Sequence, residues 1–108
     1  MITKGTHTVS FPVTKPIRWD IAKSLLLKAE RGVSFEDVLS SIDQGGLLAT
    51  TEHPNPVRFG HQRVMIVRMR DYAYLVPHSE SDREIFLKTI IPSRKATRDF
   101  LRRSNDEQ

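Results

Sequence analysis

Hydrophobic spacing switches from helical to strand-like in the middle of this chain, and that switch restricts the fold more than any other feature. Between Asp20 and Arg31 the apolar positions Ile21, Ala22, Leu25, Leu26 and Ala29 recur at intervals of three and four, the stripe of an amphipathic helix. Asp20 is placed to accept from the first free amides, and Gly32 supplies the left-handed residue that ends helices. Ser34 with Asp37 three residues on reads as a capping box, and Phe35, Val38, Leu39 and Ile42 then share one face of a second short helix. Gln44-Gly45-Gly46 stops it. Beyond that point helical spacing gives way to strand-like segments: Leu47–Thr51, Arg63–Arg68, Tyr72–Val76 and Glu84–Ile91. Arg70-Asp71 is a tight turn joining the middle two as an antiparallel hairpin, and Ser79-Glu-Ser-Asp82 reads as a polar loop. Pro92 ends the last strand, Ser93 caps a final helix over Arg94–Arg103, and residues 104–108 form a polar tail. Helices and strands segregated in this way predict an α+β domain: two short N-terminal helices, an antiparallel sheet of about four strands, and a C-terminal helix.

The chain of 108 residues suits one domain, set at 17–103. Residues 1–16, with loosely alternating Thr and Val and two prolines, are expected to be a partly ordered arm or an edge strand. The absence of cysteine excludes a disulfide framework, thiolate catalysis and the usual structural zinc sites. Neither a membrane-spanning stretch nor a secretory leader is visible, so a soluble cytoplasmic protein is the expectation.

Charge is more informative in its distribution than in its sum. Seventeen Lys/Arg against thirteen Asp/Glu give +4 and a pI near 9.8, which favours a polyanionic partner. From Lys88 to Arg103 the bases Lys88, Arg94, Lys95, Arg98, Arg102 and Arg103 face the single acid Asp99. Arg94, Arg98 and Arg102 are each four apart and would share a helical face. Such a ridge either binds phosphates or is a solvated face. A second group, Arg58, His61 and Arg63, leads into the hairpin, and Arg63 and Lys88 would converge if their strands are neighbours. Of the four histidines, His7 lies in the arm, His53 and His61 bracket a Pro-rich loop, and His78 ends a strand. Their spacing gives no metal pattern, and no cofactor is called for. Tyr72 and Tyr74 share a strand face and could stack bases or donate a proton, or simply be half-buried sheet aromatics. Trp19 reads as a core anchor.

Two motifs resemble a known family. Ile17-Arg-Trp-Asp20 with Lys23, followed by Lys28-Ala-Glu-Arg-Gly-Val-Ser-Phe-Glu-Asp-Val38, is similar to the start of BrnT-family toxins, which typically read Trp-Asp, a nearby Lys, then Gly-Val-Ser-Phe-Glu-Glu-Ala. Ile90-Ile-Pro-Ser-Arg-Lys-Ala-Thr-Arg98 resembles the family's closing Ile-Ser-Ala-Arg-Lys-Ala-Thr. The Glu-His-Pro-Asn-Pro and Tyr-Leu-Val-Pro-His segments fit one branch of it. Two departures stand out: Glu30-Arg31 where the family often has Lys-His, and Pro92-Ser93 near the closing motif. The resemblance implies a RelE-like fold and a ribonuclease toxin of a type II toxin–antitoxin pair. It also implies a cognate antitoxin, a small DNA-binding protein that neutralises the toxin and carries it to operator DNA.

The resemblance implies metal-independent RNA cleavage, in which the 2′-hydroxyl attacks the adjacent phosphorus, a base takes its proton, an acid protonates the leaving 5′-oxygen and cations of the kind the ridge carries stabilise the charge. Arg94 and Arg63 would clamp the phosphate, Lys88 would stabilise charge, His78 would act as acid or base, and Tyr74 would be a reserve proton donor. Lys95, Arg98 and Arg58 would hold flanking phosphates. Arg94 takes priority because it opens the final helix. The competing expectations are a non-catalytic basic module that docks an acidic protein or RNA, and a structural subunit whose last helix docks a partner helix.

Overall fold

The structure, a computed structural model, describes residues 4–8, 15–52 and 62–102. Its elements run β1 (Lys4–Thr8), β2 (Pro16–Asp20), α1 (Ile21–Arg31), α2 (Phe35–Asp43), β3 (Leu47–Glu52), β4 (Gln62–Met69), β5 (Tyr72–Glu80), β6 (Ile85–Leu87), β7 (Ile91–Pro92) and α3 (Arg94–Thr97), and close with a π-helical turn, Arg98–Arg102. The sheet order is β1-β2-β6-β5-β4-β3, with β7 also alongside β5. All pairs are antiparallel except β2 with β6. The α+β class matches expectation; the arrangement differs, because β1 and β2 precede the two helices and the sheet is neither purely antiparallel nor four-stranded. The extra strands come from the arm, where Lys4–Thr8 pairs with Pro16–Asp20, and from β2 lying parallel against β6. That parallel pairing joins positions almost seventy residues apart, which local patterning cannot reveal.

The helix punctuation follows the sequence closely. Asp20 Oδ1 accepts from Lys23 N at 3.2 Å, Gly32 ends α1 at φ +77°, and Ser34 and Asp37 form a reciprocal capping box. Hairpin β4–β5 turns on Arg70 and Asp71 alone, both at positive φ (55° and 64°), the two-residue geometry that matches sheet twist.

Other boundaries differ from expectation. β5 extends through Ser79 and Glu80, because His78, Ser79 and Glu80 pair with Leu87, Phe86 and Ile85, so the expected polar loop begins later. The expected strand Glu84–Ile91 breaks after Leu87, and the break inverts the alternation: Ile90 is fully buried and Ile91 is exposed. The final helix is one α turn followed by a π turn.

Two apolar layers lie on opposite faces of the sheet. On one, Leu27 of α1 and Phe35, Val38, Leu39 and Ile42 of α2 pack on Ile17, Trp19, Met65, Val67, Val76 and Leu87. Trp19 is the anchor expected, its ring 6.5 Å from that of Phe35. Its Nε1–H donates to Glu36, which also receives the buried Ser24 hydroxyl at 2.6 Å, so one carboxylate ties β2, α1 and α2 together. On the other face, Ala96 and Leu101 cover Ile66, Ala73, Leu75 and Ala49. The first is the α2 side of the sheet and the second its α3 side. No helix among the described residues is long and apolar enough to cross a membrane.

Candidate anion-binding surface

The C-terminal bases are positioned by a neutral polar bolt. Ser93 N donates to Ala73 O at 3.0 Å, and Thr97 Oγ1, buried, accepts from Ala73 N and donates to Ser93 O, both at 2.8 Å. These bonds pin α3 to the edge of β5. Because Ala96 and Thr97 take the inward positions, Arg94, Lys95 and Arg98 are left in solvent. Arg98 Nε contacts Asp99 at 3.4 Å, while Arg94 and Lys95 have no ion pair among the described residues. The single turn of α3 has too few aligned peptides for a helix dipole to matter, so the priority given to Arg94 on that ground falls away.

Lys88 joins the same side of the sheet. Ile85 and Leu87 are buried on the α2 side, so Phe86 and Lys88 emerge on the α3 side, with Lys88 Nζ 6.0 Å from the Phe86 ring centre. Its backbone N–H meets Pro77 O, four residues along β5 from Ala73, the residue that holds α3. That offset is about 13 Å at ~3.3 Å per strand residue, a span that successive phosphates of a single strand could bridge.

Arg18 adds a cation that was not among the expected site residues, although it lies within the opening motif. In β2, Ile17 and Trp19 are buried on the α2 side, so Arg18 lies on the α3 side, opposite Phe86. Its Nη1 is 3.5 Å from Glu84 Oε1, and its buried Nε has no hydrogen-bond partner among the described residues. Alternation within Ile17-Arg-Trp was the signal that could have found it.

The remaining expected site residues do not join this surface. Met65, Val67 and Met69 face α2, and unbroken alternation puts Arg63 on that side too, opposite His78 in the β4–β5 register. Arg63 and the start of α3 are therefore separated by the thickness of the sheet. They also stand about five strand residues, or ~17 Å, apart along β5. Arg63 and Arg94 cannot clamp one phosphate. His78 is 2 % exposed, with Nδ1–H donating to Val76 O at 3.1 Å, so it cannot reach a substrate hydroxyl. Tyr74 is likewise in the core, its ring edge-on to Tyr72 at 5.7 Å, which removes it as a proton donor to bound RNA. Arg58, with His53 and His61, lies outside the described residues.

Around His78, charges gather at the end of the α2 side. Lys15 Nζ pairs with Glu80 Oε2 at 2.7 Å, and this bond holds the Glu80 carboxyl below its ordinary range. Burial is the main reason the His78 imidazole titrates below its ordinary value, and the nearby Arg63 charge acts in the same direction against the Val76 carbonyl and Glu80. A separate cleft of about 430 Å³ opens between the end of α2 and the hairpin turn, lined by Ser41, Gln44, Arg68, Arg70 and Asp71 among others; it contains none of the expected site residues.

These shifts set the acid response. A histidine whose folded pKa is depressed favours the folded state fully above the unfolded value of ~6.5, and that contribution declines as pH falls. Glu36 and Asp37 are lowered as well: burial opposes their ionisation, but the hydrogen bonds from Ser24 and Lys28 outweigh it. With Glu80 they contribute stability above ~4.5 that is lost on further acidification. Calorimetry against pH should therefore show a first loss starting near pH ~6.5, with a slope of at most ~1.4 kcal/mol per pH unit, and a steeper one below ~4.5. His78→Gln should abolish only the first. A first phase that persists in that variant would assign it elsewhere.

Compared with models of known protein families, with curated proteins and with solved structures, the chain finds no match.

Proposed function

We propose that this protein is the toxin of a type II toxin–antitoxin pair with a RelE-related fold, and that it grips RNA through the α3 side of its sheet. The observation that carries this reading is that Lys88, Arg94 and Lys95, exposed and free of ion pairs among the described residues, share one side of the sheet with Arg18. The two motifs that resemble BrnT toxins support it, since the closing one supplies Arg94 and Lys95 and the opening one Arg18. An acidic segment of a cognate antitoxin, itself a small operator-binding protein, would neutralise the toxin by covering the same cations.

Chemically, this surface offers charge stabilisation. A 2′-hydroxyl attacking the adjacent phosphorus gives its proton to solvent, closes a 2′,3′-cyclic phosphate and expels the 5′-oxygen, which takes a proton from water; negative charge builds on the non-bridging oxygens on the way, and each well-placed donor there is worth about 3–4 kcal/mol. Arg94 fills that role at the reacting phosphate; Lys88, about 13 Å along the sheet, holds a neighbouring phosphate with Lys95, Arg98 and Arg18. Proton transfer is not assigned to His78 or Tyr74.

Burial of those two side chains, with Arg63 on the far side, favours a second reading: a module that binds RNA or an acidic protein without cleaving it. Induced expression without the antitoxin gene separates the two. The toxin reading expects growth arrest, cleavage of RNA by the purified protein in EDTA, and loss of both in Lys88→Ala/Arg94→Ala. Salt-sensitive RNA binding with no product and no arrest would leave the binding module. Cleavage that stops in EDTA would establish a metal-dependent route.

A further inference from the structure

The apolar stripe read from α1 does not face the core. Ser24 and Leu27 are the buried positions of this helix, whereas Leu25 is 68 % and Leu26 50 % exposed, with Ala22 and Ala29 also in solvent. At 3.6 residues per turn these four side chains fall within an arc of roughly 100° on the outer surface. Two adjacent exposed leucines flanked by alanines on one helix face are the kind of contiguous patch that marks an interaction surface.

The pattern specifies its own complement. Ala22, Leu25, Leu26 and Ala29 are spaced three, one and three, a series that reads identically in either direction. Laid antiparallel across a two-fold axis, a second α1 sets Leu25 against Leu26 of the other copy and Ala22 against Ala29. The small residues at both ends allow the helix axes to approach within ~8 Å. Charge agrees with this pairing. Lys23 and Glu30 lie on the same edge of the stripe, both exposed and neither in an ion pair among the described residues. An antiparallel two-fold brings each Lys23 towards the Glu30 of the other copy, twice over. On the opposite edge Lys28 is already neutralised by Asp37 at 2.9 Å, so no unbalanced like-charge pair forms there.

We propose that α1 is a self-association surface through which two copies of this chain pair, antiparallel helix on helix. The contact is isologous, as two-fold interfaces are. Two eleven-residue helices bury less than the ~1,200 Å² of a standard stable interface, so the dimer is a weak one, populated at high concentration.

Sedimentation velocity from about 10 µM to about 1 mM tests it, since weak interfaces dissociate across that range. The wild-type mass should rise towards that of a dimer. Leu26→Glu should weaken association at least ~10-fold while its thermal unfolding stays like wild type, because the position is already in water. Lys23→Glu and Glu30→Lys should each weaken it, and the double charge swap should restore it. A chain that stays monomeric throughout, a Leu26→Glu variant that associates normally, or a double swap that fails to recover would each overturn the proposal. So would association seen only on adding the product of the neighbouring gene and blocked by Leu26→Glu, which would assign the face to that protein. RNA binding is read in a separate assay, so the outcome here does not depend on the function proposed above.

Discussion

Gly46→Ala is expected to destabilise the fold by roughly 3 kcal/mol, a large share of the ~5–15 kcal/mol that holds a domain of this size together. Gly46 sits where the end of α2 meets the end of β4. Its N–H donates to Ser41 O at 2.7 Å and its carbonyl accepts from Arg68 N at 2.8 Å. Ser41 Oγ donates to Arg68 O across the same junction. A methyl group added to Gly46 would stand 2.0 Å from Ser41 Oγ, 2.8 Å from Ser41 O and 3.0 Å from Arg68 O. The hydroxyl could rotate away, at the loss of its bond to β4. The two carbonyls are backbone and could yield only if α2 drew back from the sheet, opening the layer of Val38, Leu39 and Ile42. Urea denaturation of wild type, Gly46→Ala and Ser41→Ala/Gly46→Ala checks this. The double variant should recover part of the loss, since it removes the side-chain clash and leaves the backbone ones. A Gly46→Ala protein within ~1 kcal/mol of wild type would show that the junction is not tight.

The second large effect concerns the basic surface. Lys88→Ala/Arg94→Ala/Lys95→Ala should lower affinity for single-stranded RNA by ~100-fold or more at low salt. The same variant should flatten the plot of log affinity against log salt by about 2, at ~0.7 for each phosphate no longer neutralised. All three side chains are exposed, so stability should stay within ~0.5 kcal/mol of wild type. Arg63→Ala should bind as wild type does, because Arg63 stands on the α2 side. Fluorescence anisotropy at several salt concentrations measures all of this. If Arg63→Ala weakened binding as much as the triple variant, RNA would have to bind the side that carries α1 and α2.

The way these expectations divide has a physical basis. Caps and turns rest on residues within a few positions of one another, and they match the sequence almost throughout: Asp20, the Ser34–Asp37 box, Gly32 and the Arg70-Asp71 turn. The candidate site depended on which strands are neighbours and which faces they show, and there the agreement is partial. Lys88, Arg94, Lys95 and Arg98 are on one exposed side, as a continuous basic stretch suggested. Arg63, His78 and Tyr74 belong with them by chemical type only, and the sheet separates them. Alternation within Ile17-Arg-Trp turns Arg18 away from its apolar neighbours, but only the parallel pairing of β2 with β6 sets it opposite Phe86.

Sequence alone determined the α+β class, the ends of the two helices, the hairpin and the run of cations, since each follows from periodicity, capping chemistry or charge carried by neighbouring residues. Tertiary structure alone decided that β2 enters the sheet, that Arg63 and Arg94 lie on opposite sides, and that the apolar stripe of α1 faces outward. A helix of eleven residues specifies where its stripe is but not what it packs on. Ser24, fixed by bonds to Glu36 and to Phe35 N, turned the other face of α1 inward and left the leucines in water.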